Sequence, residues 1–141
     1  MRIRLAVALA AIFLLAGANE QPRENPHVTD LLRTIKGKEN LPAGEVFKNV
    51  KLLKTMPAGR FLRVMDMGYA RALGVDCEHC HSEDRWEADE KRPKLAAREM
   101  TVMTEEINKT LATLEHIDNS EATVNCTTCH RGYVKPATQM R

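Results

Sequence analysis

The chain of 141 residues has few aromatic side chains: Phe, Trp and Tyr together make up 4% of it, with a single Trp. That share is low for a protein that must build its core from its own side chains. Its main apolar run, Leu5 to Ala16, is 12 residues long, whereas a transmembrane helix needs roughly 20. The length predicts one small domain, and this run is too short to be expected to cross a membrane.

The chain also lacks a charge excess. The formal net charge is +2 at pH 7, with 21 Lys and Arg against 19 Asp and Glu. Arg2 and Arg4 belong to a leader, and without them the basic and acidic residues balance at 19 each. Binding to nucleic acid would require a basic patch, so no nucleic-acid partner is expected.

The first 18 residues have the three parts of a secretory signal peptide. Arg2 and Arg4 supply the positive charge, Leu5 to Ala16 is the apolar stretch, and Ala16-Gly17-Ala18 is an A-x-A cleavage site. Position 18 is Ala, where a lipoprotein signal would need the lipidated Cys. We therefore predict a signal peptide over residues 1–18, cleaved after Ala18, and a soluble periplasmic protein.

All four cysteines fall in two copies of one motif, Cys77-Glu78-His79-Cys80-His81 and Cys126-Thr127-Thr128-Cys129-His130. Cys-x-x-Cys-His is the attachment sequence of c-type haem. Its two thiols form thioether bonds with the haem vinyl groups, and its His donates a ring nitrogen to the iron. The sequence thus predicts two covalently bound haem c groups. Their expected attachment residues are Cys77, Cys80, Cys126 and Cys129, and their expected proximal ligands are His81 and His130.

Two other uses of paired cysteines fit less well. A zinc ribbon also pairs two Cys-x-x-Cys sequences, but 45 residues separate Cys80 from Cys126, far more than the usual ribbon spacing. Zinc also gives no reason for a His directly after each pair. A thioredoxin-like dithiol would need strands around the motif, and no strand pattern is evident.

The mature chain is expected to be all-α. We predict a flexible N-terminal arm over residues 19–44, with one helical turn near Asp30–Ile35 capped by Thr29 or Asp30, and a dihaem cytochrome c domain over residues 45–141. Apolar spacing predicts helices over Gly44–Thr55, Arg60–Leu73 and Pro93–Glu115. Gly74 is expected to end the second of these helices, and Pro93 to lie in the first turn of the third. The fold class is a small multihaem cytochrome c built from two helix–turn–CxxCH units.

Each iron needs a sixth ligand, and a thioether sulfur would close the site and leave electron transfer as its chemistry. For the first haem the candidates are Met65 and Met67, which lie on different sides of a helix. Met65 shares the apolar side with Leu62 and Tyr69, so Met65 is the predicted ligand. For the second haem, Met100 and Met103 share one face, and periodicity leaves both open.

The segment from Ala88 to Asn108 resembles a known family. It contains Ala97-Arg-Glu-Met-Thr-Val-Met-Thr-Glu-Glu-Ile-Asn108, and the second motif continues as Cys126-Thr-Thr-Cys-His-Arg-Gly132. These runs are similar to the segment that links the first two haems in the cytochrome c subunit of purple-bacterial photosynthetic reaction centres. The resemblance covers roughly residues 60–135.

This resemblance implies Met103 as the distal ligand of the second haem, because the Met directly before T-x-x-I-N has that part in the family. The chain departs from the reaction-centre members, which bind four haems and are often lipid-anchored. Those members also use a His between the second Met ligand and the second motif to ligate a haem of the other half. His116 lies in that region at a different spacing, and a surface His at a helix end is favoured over a ligand to a partner's haem.

The predicted function is a periplasmic dihaem cytochrome that passes single electrons between redox partner proteins and is not an enzyme. The alternatives are a small dihaem peroxidase, which needs an open iron, and an electron-transfer subunit of a larger cytochrome complex. Association with a membrane electron-transfer complex, and with further copies of the chain, stays open at this level.

Overall fold

A computed structural model describes residues 25–117 and 122–139, so the predicted signal peptide lies outside the described residues. These ranges are mostly helical and contain no strand, only isolated bridges of Pro42 with Pro57 and of Ser82 with Arg85. The helices are α1 Pro26–Thr34, α2 Ala43–Val46, α3 Ala58–Arg63, a π-helical segment Val64–Ala70, α4 Arg71–Leu73, a 3-10 turn Cys77–His79, α5 Arg92–Leu111 and α6 Cys126–His130. None of these helices is long and apolar enough to cross a membrane.

The part of the expected flexible arm that the structure describes is folded, which corrects that expectation. Asn25 caps α1 by accepting a hydrogen bond from the backbone N–H of His27, and Pro26 occupies the first turn. The cap is therefore Asn25 and neither Thr29 nor Asp30. Val28 and Ile35 are buried in one cluster with Ala58 and Leu62 of α3. Burial of these side chains orders residues that look polar and loose in the sequence.

Two copies of Pro-Ala-Gly start two neighbouring helices. Pro42 precedes α2 and Pro57 precedes α3, and both adopt the same extended backbone conformation. The copies pair through a hydrogen bond from Ala43 N to Met56 O and another from Ala58 N to Leu41 O, each 2.8 Å. Ala43 and Ala58 are fully buried between them. The second copy begins the helix that leads to the first haem motif.

The helix predicted over Gly44–Thr55 is wrong beyond its first turn. It ends at Val46, and residues 47–56 follow an irregular path of bends and turns. The backbone φ is +59° at Asn49 and +57° at Leu53, a left-handed conformation that a right-handed helix cannot contain. The apolar residues of this segment do not form one helix face. Phe47 instead stacks on Phe61 of α3, with ring centroids 5.7 Å apart.

The helix predicted over Arg60–Leu73 exists, starts two residues earlier at Ala58, and contains the π-helical segment. Gly74 ends it with a φ of +67°, as predicted. The backbone N–H of Gly132, just after the second motif, donates to the carbonyl oxygen of Ala72 at 2.8 Å. The loop after the second motif therefore packs on the end of the helix that precedes the first.

Helix α5 begins at Arg92, with Pro93 in its first turn as predicted, and ends at Leu111. The Tyr69 hydroxyl lies 2.6 Å from Thr101 Oγ1 and joins the π-helical segment to α5. Several apolar residues of α5 are exposed: Met100 and Met103 by 47% each and Ile107 by 37%. The described protein residues leave these side chains partly uncovered.

Candidate functional site

The first motif holds its histidine by a backbone hydrogen bond. Cys77–His79 forms a 3-10 turn after Gly74, and His81 follows with its Nδ1 atom 2.7 Å from the carbonyl oxygen of Trp86. A carbonyl can only accept, so Nδ1 carries the proton and the lone pair lies on Nε2. Burial lowers the pKa of His81, which favours the neutral imidazole that binds metals.

Cys77, Cys80 and His81 line one apolar cavity of about 370 Å³, a volume typical of a small-molecule or cofactor site. Met65 lines the same cavity. Burial raises the pKa of both motif thiols, and the neighbouring carboxylates of Glu78 and Asp66 raise that of Cys77 further. The structure thus brings together all four residues predicted for the first haem.

Met67 lies elsewhere. Its side chain is 53% exposed, and it lines a second, more open groove of about 570 Å³ together with Cys126 and Thr127 of the second motif. The two methionines are therefore divided between two concave sites, as expected for positions two residues apart. Tyr69 lines both sites and lies between them.

The second motif forms the short helix α6. Asn125 and Thr128 make a capping box at its start, and Arg131 ends it with a φ of +51°. The Nδ1 atom of His130 lies 3.0 Å from the carbonyl oxygen of Tyr133. The second histidine is thus oriented in the same way as the first, by the carbonyl of a residue that follows it closely in the chain.

The second site is more open than the first. Among the described residues of the second motif, Cys126 and Thr127 line the groove, whereas Cys129 is exposed. Thr104 of α5 also lines it, and Met103 lies outside it. Met100 and Met103 are each 47% exposed, so exposure does not distinguish between these two candidate ligands.

Asn108 fastens the segment before the second motif to α5. Its Nδ2 donates to the carbonyl oxygen of Val124 at 2.9 Å, and its Oδ1 accepts from Val124 N at 2.7 Å and from Thr123 Oγ1 at 3.3 Å. The helix that carries Met103 is thereby tied to the residues directly before Asn125. In the sequence, Asn108 is simply the last residue of the run that resembles the family, and nothing there predicts its hydrogen bonds to Val124.

Two lysines at the start of α5, the N-cap residue Lys91 and Lys94 in the helix, hold the backbone around the first motif. Lys91 Nζ donates to the carbonyl oxygens of Glu78 and, at 2.7 Å, His81. Lys94 Nζ donates to those of Trp86 at 2.8 Å and Ala88 at 2.7 Å. Lys94 is 9% exposed, which is rare for a lysine. Sequence reasoning missed both, because a lysine early in a helix usually faces solvent.

Helix α1 reaches the first motif through His27. Its Nε2 atom lies 2.7 Å from Glu78 Oε1 and 3.7 Å from Glu83 Oε1. Its ring also meets Trp86 edge-on at 5.5 Å, and Trp86 lies 5.5 Å from the ring of His81. His27, Val28 and Trp86 line the first cavity, so the segment expected to be a loose arm forms part of its wall.

Each motif has two thiols followed by a histidine whose Nε2 atom can bind a metal, and the first motif lines an apolar cavity in a helical domain. These features define a c-type cytochrome. The chain belongs to the photosynthetic reaction centre cytochrome C subunit family, whose model matches residues 16–140. This membership confirms the resemblance found in the sequence, and it implies covalently bound haem c.

Individual relatives agree. The chain is 36% identical over 100 residues to the photosynthetic reaction center cytochrome c subunit of Roseobacter denitrificans, a match that covers 67% of this chain and 26% of the relative. It is 32% identical over 95 residues to the subunit of Thermochromatium tepidum, covering 67% and 22%. Cytochrome c-554 of Chloroflexus aurantiacus is 31% identical over 83 residues, covering 58% and 20%.

The chain spans only a fifth to about a quarter of the length of these relatives. All three names are those of cytochromes, and none is that of an enzyme. The relatives therefore support a carrier of electrons over the peroxidase alternative.

Proposed function

We propose that the chain is a periplasmic dihaem cytochrome c that transfers single electrons between redox partners. The observation that carries this proposal is that both motif histidines are oriented by the same kind of hydrogen bond. His81 Nδ1 lies 2.7 Å from one backbone carbonyl oxygen and His130 Nδ1 lies 3.0 Å from another. Each ring is thereby oriented with Nε2 available, which is the arrangement of a histidine that ligates a metal.

The surrounding residues fit haem c. The four cysteines, all within the described ranges, form no disulfide, so their thiols are available for thioether bonds. The first cavity is lined mainly by apolar side chains, among them Val46, Phe61 and Leu73. Helix α5 offers further exposed apolar side chains, among them Met100, Met103 and Ile107. Bound haem would also supply the apolar bulk that the aromatic-poor chain lacks.

We assign the attachment residues as Cys77 and Cys80 for one haem and Cys126 and Cys129 for the other. His81 and His130 are the proximal ligands, and Met65 and Met103 the distal ones. Each haem, when bound, supplies an iron that takes up and releases one electron. A thioether from Met65 or Met103 would close the iron to small ligands and would favour a higher potential than a second histidine.

We expect the two haems to lie near each other and to exchange electrons inside the molecule. The Gly132–Ala72 hydrogen bond joins the loop of the second motif to the helix before the first, and Tyr69 lines both concave sites. One haem can therefore receive an electron from a donor protein while the other delivers it to an acceptor. Electron transfer needs no acid–base catalyst, so we assign no catalytic residue.

We further propose export, with cleavage of the signal peptide after Ala18, and redox proteins as partners. The relatives named as reaction center subunits make a membrane electron-transfer complex a candidate partner.

The test is an intact-mass measurement together with a haem count of the protein purified from a periplasmic fraction. We expect a mature chain that begins at Asn19 and carries two covalent haems. A chain with one haem, with none, or with residues 1–18 retained would contradict the corresponding part of the proposal.

Matched variants assign the haems to the motifs. Cys77→Ala combined with Cys80→Ala, and Cys126→Ala combined with Cys129→Ala, should each leave one covalent haem on the chain. Carbon monoxide added to the reduced wild-type protein should leave its spectrum unchanged, because both irons are closed by methionine. A shift with carbon monoxide would instead favour an open iron and the peroxidase alternative.

A further inference from the structure

Lys94 and His81 share one acceptor. The carbonyl oxygen of Trp86 lies 2.7 Å from His81 Nδ1 and 2.8 Å from Lys94 Nζ. The lysine ammonium thus lies one carbonyl group away from the ring that is proposed to ligate the first iron. At the second motif, His130 Nδ1 meets the carbonyl oxygen of Tyr133, and no lysine is recorded on that carbonyl among the described residues.

Lys94 shares its ion-pair partner with a second cation. Its ammonium is held by the carbonyl oxygens of Trp86 and Ala88 and lies 3.5 Å from Asp89 Oδ1. That same Asp89 oxygen is 2.9 Å from Arg98 Nη2. Asp89 therefore faces two cations. Glu87 also attracts the Lys94 ammonium, but no further carboxylate among the described residues forms an ion pair with it, and Lys94 is only 9% exposed.

A buried positive charge here would raise the reduction potential of the first iron in two ways. Reduction lowers the positive charge of the iron by one, so a nearby ammonium destabilises the oxidised state more than the reduced one. The ammonium also draws electron density from the Trp86 carbonyl and makes it a weaker acceptor for His81 Nδ1–H. The imidazole then donates less to ferric iron.

We propose that Lys94 is a positioning residue that raises the reduction potential of the first haem above the value that His81 and Met65 alone would give. The inference rests on the proposed function, since it requires a haem at His81. It makes the two haems unequal, with the lysine beside the first one only. An electron shared between the two haems would therefore reside mainly on the first haem.

The experiment is a spectroelectrochemical titration of the holoprotein, which resolves one wave for each haem. The variants are Lys94→Met, which removes the charge and the hydrogen bonds, and Lys94→Gln, which removes the charge but retains a donor. Lys109→Met is the matched control, because it removes a lysine from the exposed side of the same helix. Met103→His identifies the waves, since it lowers the potential of the second haem.

In both Lys94 variants we expect the equilibrium constant for reducing the first haem to fall about tenfold, a shift of about 59 mV for one electron. The wave of the second haem, and both waves of Lys109→Met, should stay in place. Unchanged waves in both Lys94 variants would overturn the inference. So would a shift in Lys94→Met without one in Lys94→Gln, because the hydrogen bond and not the charge would then set the potential.

The haem count separates this inference from the proposed function. A wild-type protein without a haem on Cys77 and Cys80 overturns both. Two haems in every variant with no change in the first wave overturn only the role of Lys94. If Lys94→Met does not assemble with two haems, Lys94→Gln, which is closer in size and polarity, decides between these outcomes.

Discussion

The backbone N–H of Gly132 donates a hydrogen bond of 2.8 Å to the carbonyl oxygen of Ala72, and this contact joins the two haem motifs. It requires a close approach at Gly74, where an added Cβ would lie 2.0 Å from the carbonyl oxygen of Gly132. The C-terminal cap of one helix is thus also the docking point for the loop after α6. Helix capping and assembly of the two sites depend on the same glycine.

Gly74→Ala should therefore be more harmful than its backbone angle alone explains. The left-handed φ of +67° costs a non-glycine residue roughly 1–2 kcal/mol, and the clash with Gly132 should add roughly 1–3 kcal/mol. Gly37→Ala is the matched control, since its φ is +85° and an added Cβ meets nothing within 4 Å. Denaturant unfolding of both variants compares them, and equal losses of stability would argue against the close approach.

Met65→Ala should open the first iron. We expect the reduced variant to bind carbon monoxide and to lose part of the long-wavelength band that a methionine–iron bond gives in the oxidised state. The paired variant Met67→Ala removes the same side chain from the other groove, and its spectrum should match wild type. Carbon monoxide binding by Met67→Ala, with none by Met65→Ala, would reverse the assignment.

Asn108→Ala should destabilise the protein by roughly 1–3 kcal/mol, because it leaves the N–H and C=O groups of Val124 without their side-chain partner. The effect should be concentrated at the second site, where the signals of that haem broaden or shift. Lys109→Ala, next along the helix and exposed, should stay within about 0.5 kcal/mol of wild type. Comparable losses in both variants would show that Asn108 has no special role.

Asp89→Asn tests the charge cluster beside the first motif. The Asp89 pKa is held well below its usual value by the hydrogen bond from Arg98, helped by Asn49. A lowered folded-state pKa means that the carboxylate stabilises the fold above its unfolded value of about 3.9, and that this contribution is lost as the pH falls further. The variant should thus be less stable at neutral pH and lose less stability on acidification.

Thermal unfolding of the holoprotein across the acid range, followed by far-ultraviolet circular dichroism, measures this effect. Asp84→Asn is the control, since it removes the same charge from an exposed residue of the same segment. An acid-induced loss of stability as steep in Asp89→Asn as in wild type would mean that another group is responsible.

Local signals predicted several elements well. Gly74 was expected to end a helix and does so in the left-handed conformation, and Pro93 was expected in the first turn of α5 and lies there. Periodicity separated Met65 from Met67, and the structure assigns them to different concave sites. These predictions succeeded because capping and helical spacing depend only on residues within a few positions.

Other features depend on contacts that the sequence does not display. Periodicity favoured a helix after Gly44, yet positive φ angles at Asn49 and Leu53 turn the chain so that Phe47 meets Phe61. Residues near Val28 looked like a loose arm, yet they pack against Leu62 and extend along the first cavity. In both cases, burial against α3 outweighed the local preference of the segment.

The sequence by itself determined the chemistry of this protein: the thiols, the histidines and the helical character follow from residue type and short spacing. Only the tertiary structure decided which carbonyl orients each histidine, how Asn108 fastens the second motif, and that Lys94 shares the Trp86 carbonyl with His81. Covalent attachment depends on neighbours in the chain, and a sequence displays these directly. The environment of each motif depends on groups brought together by folding, over separations along the chain at which residue spacing carries no signal.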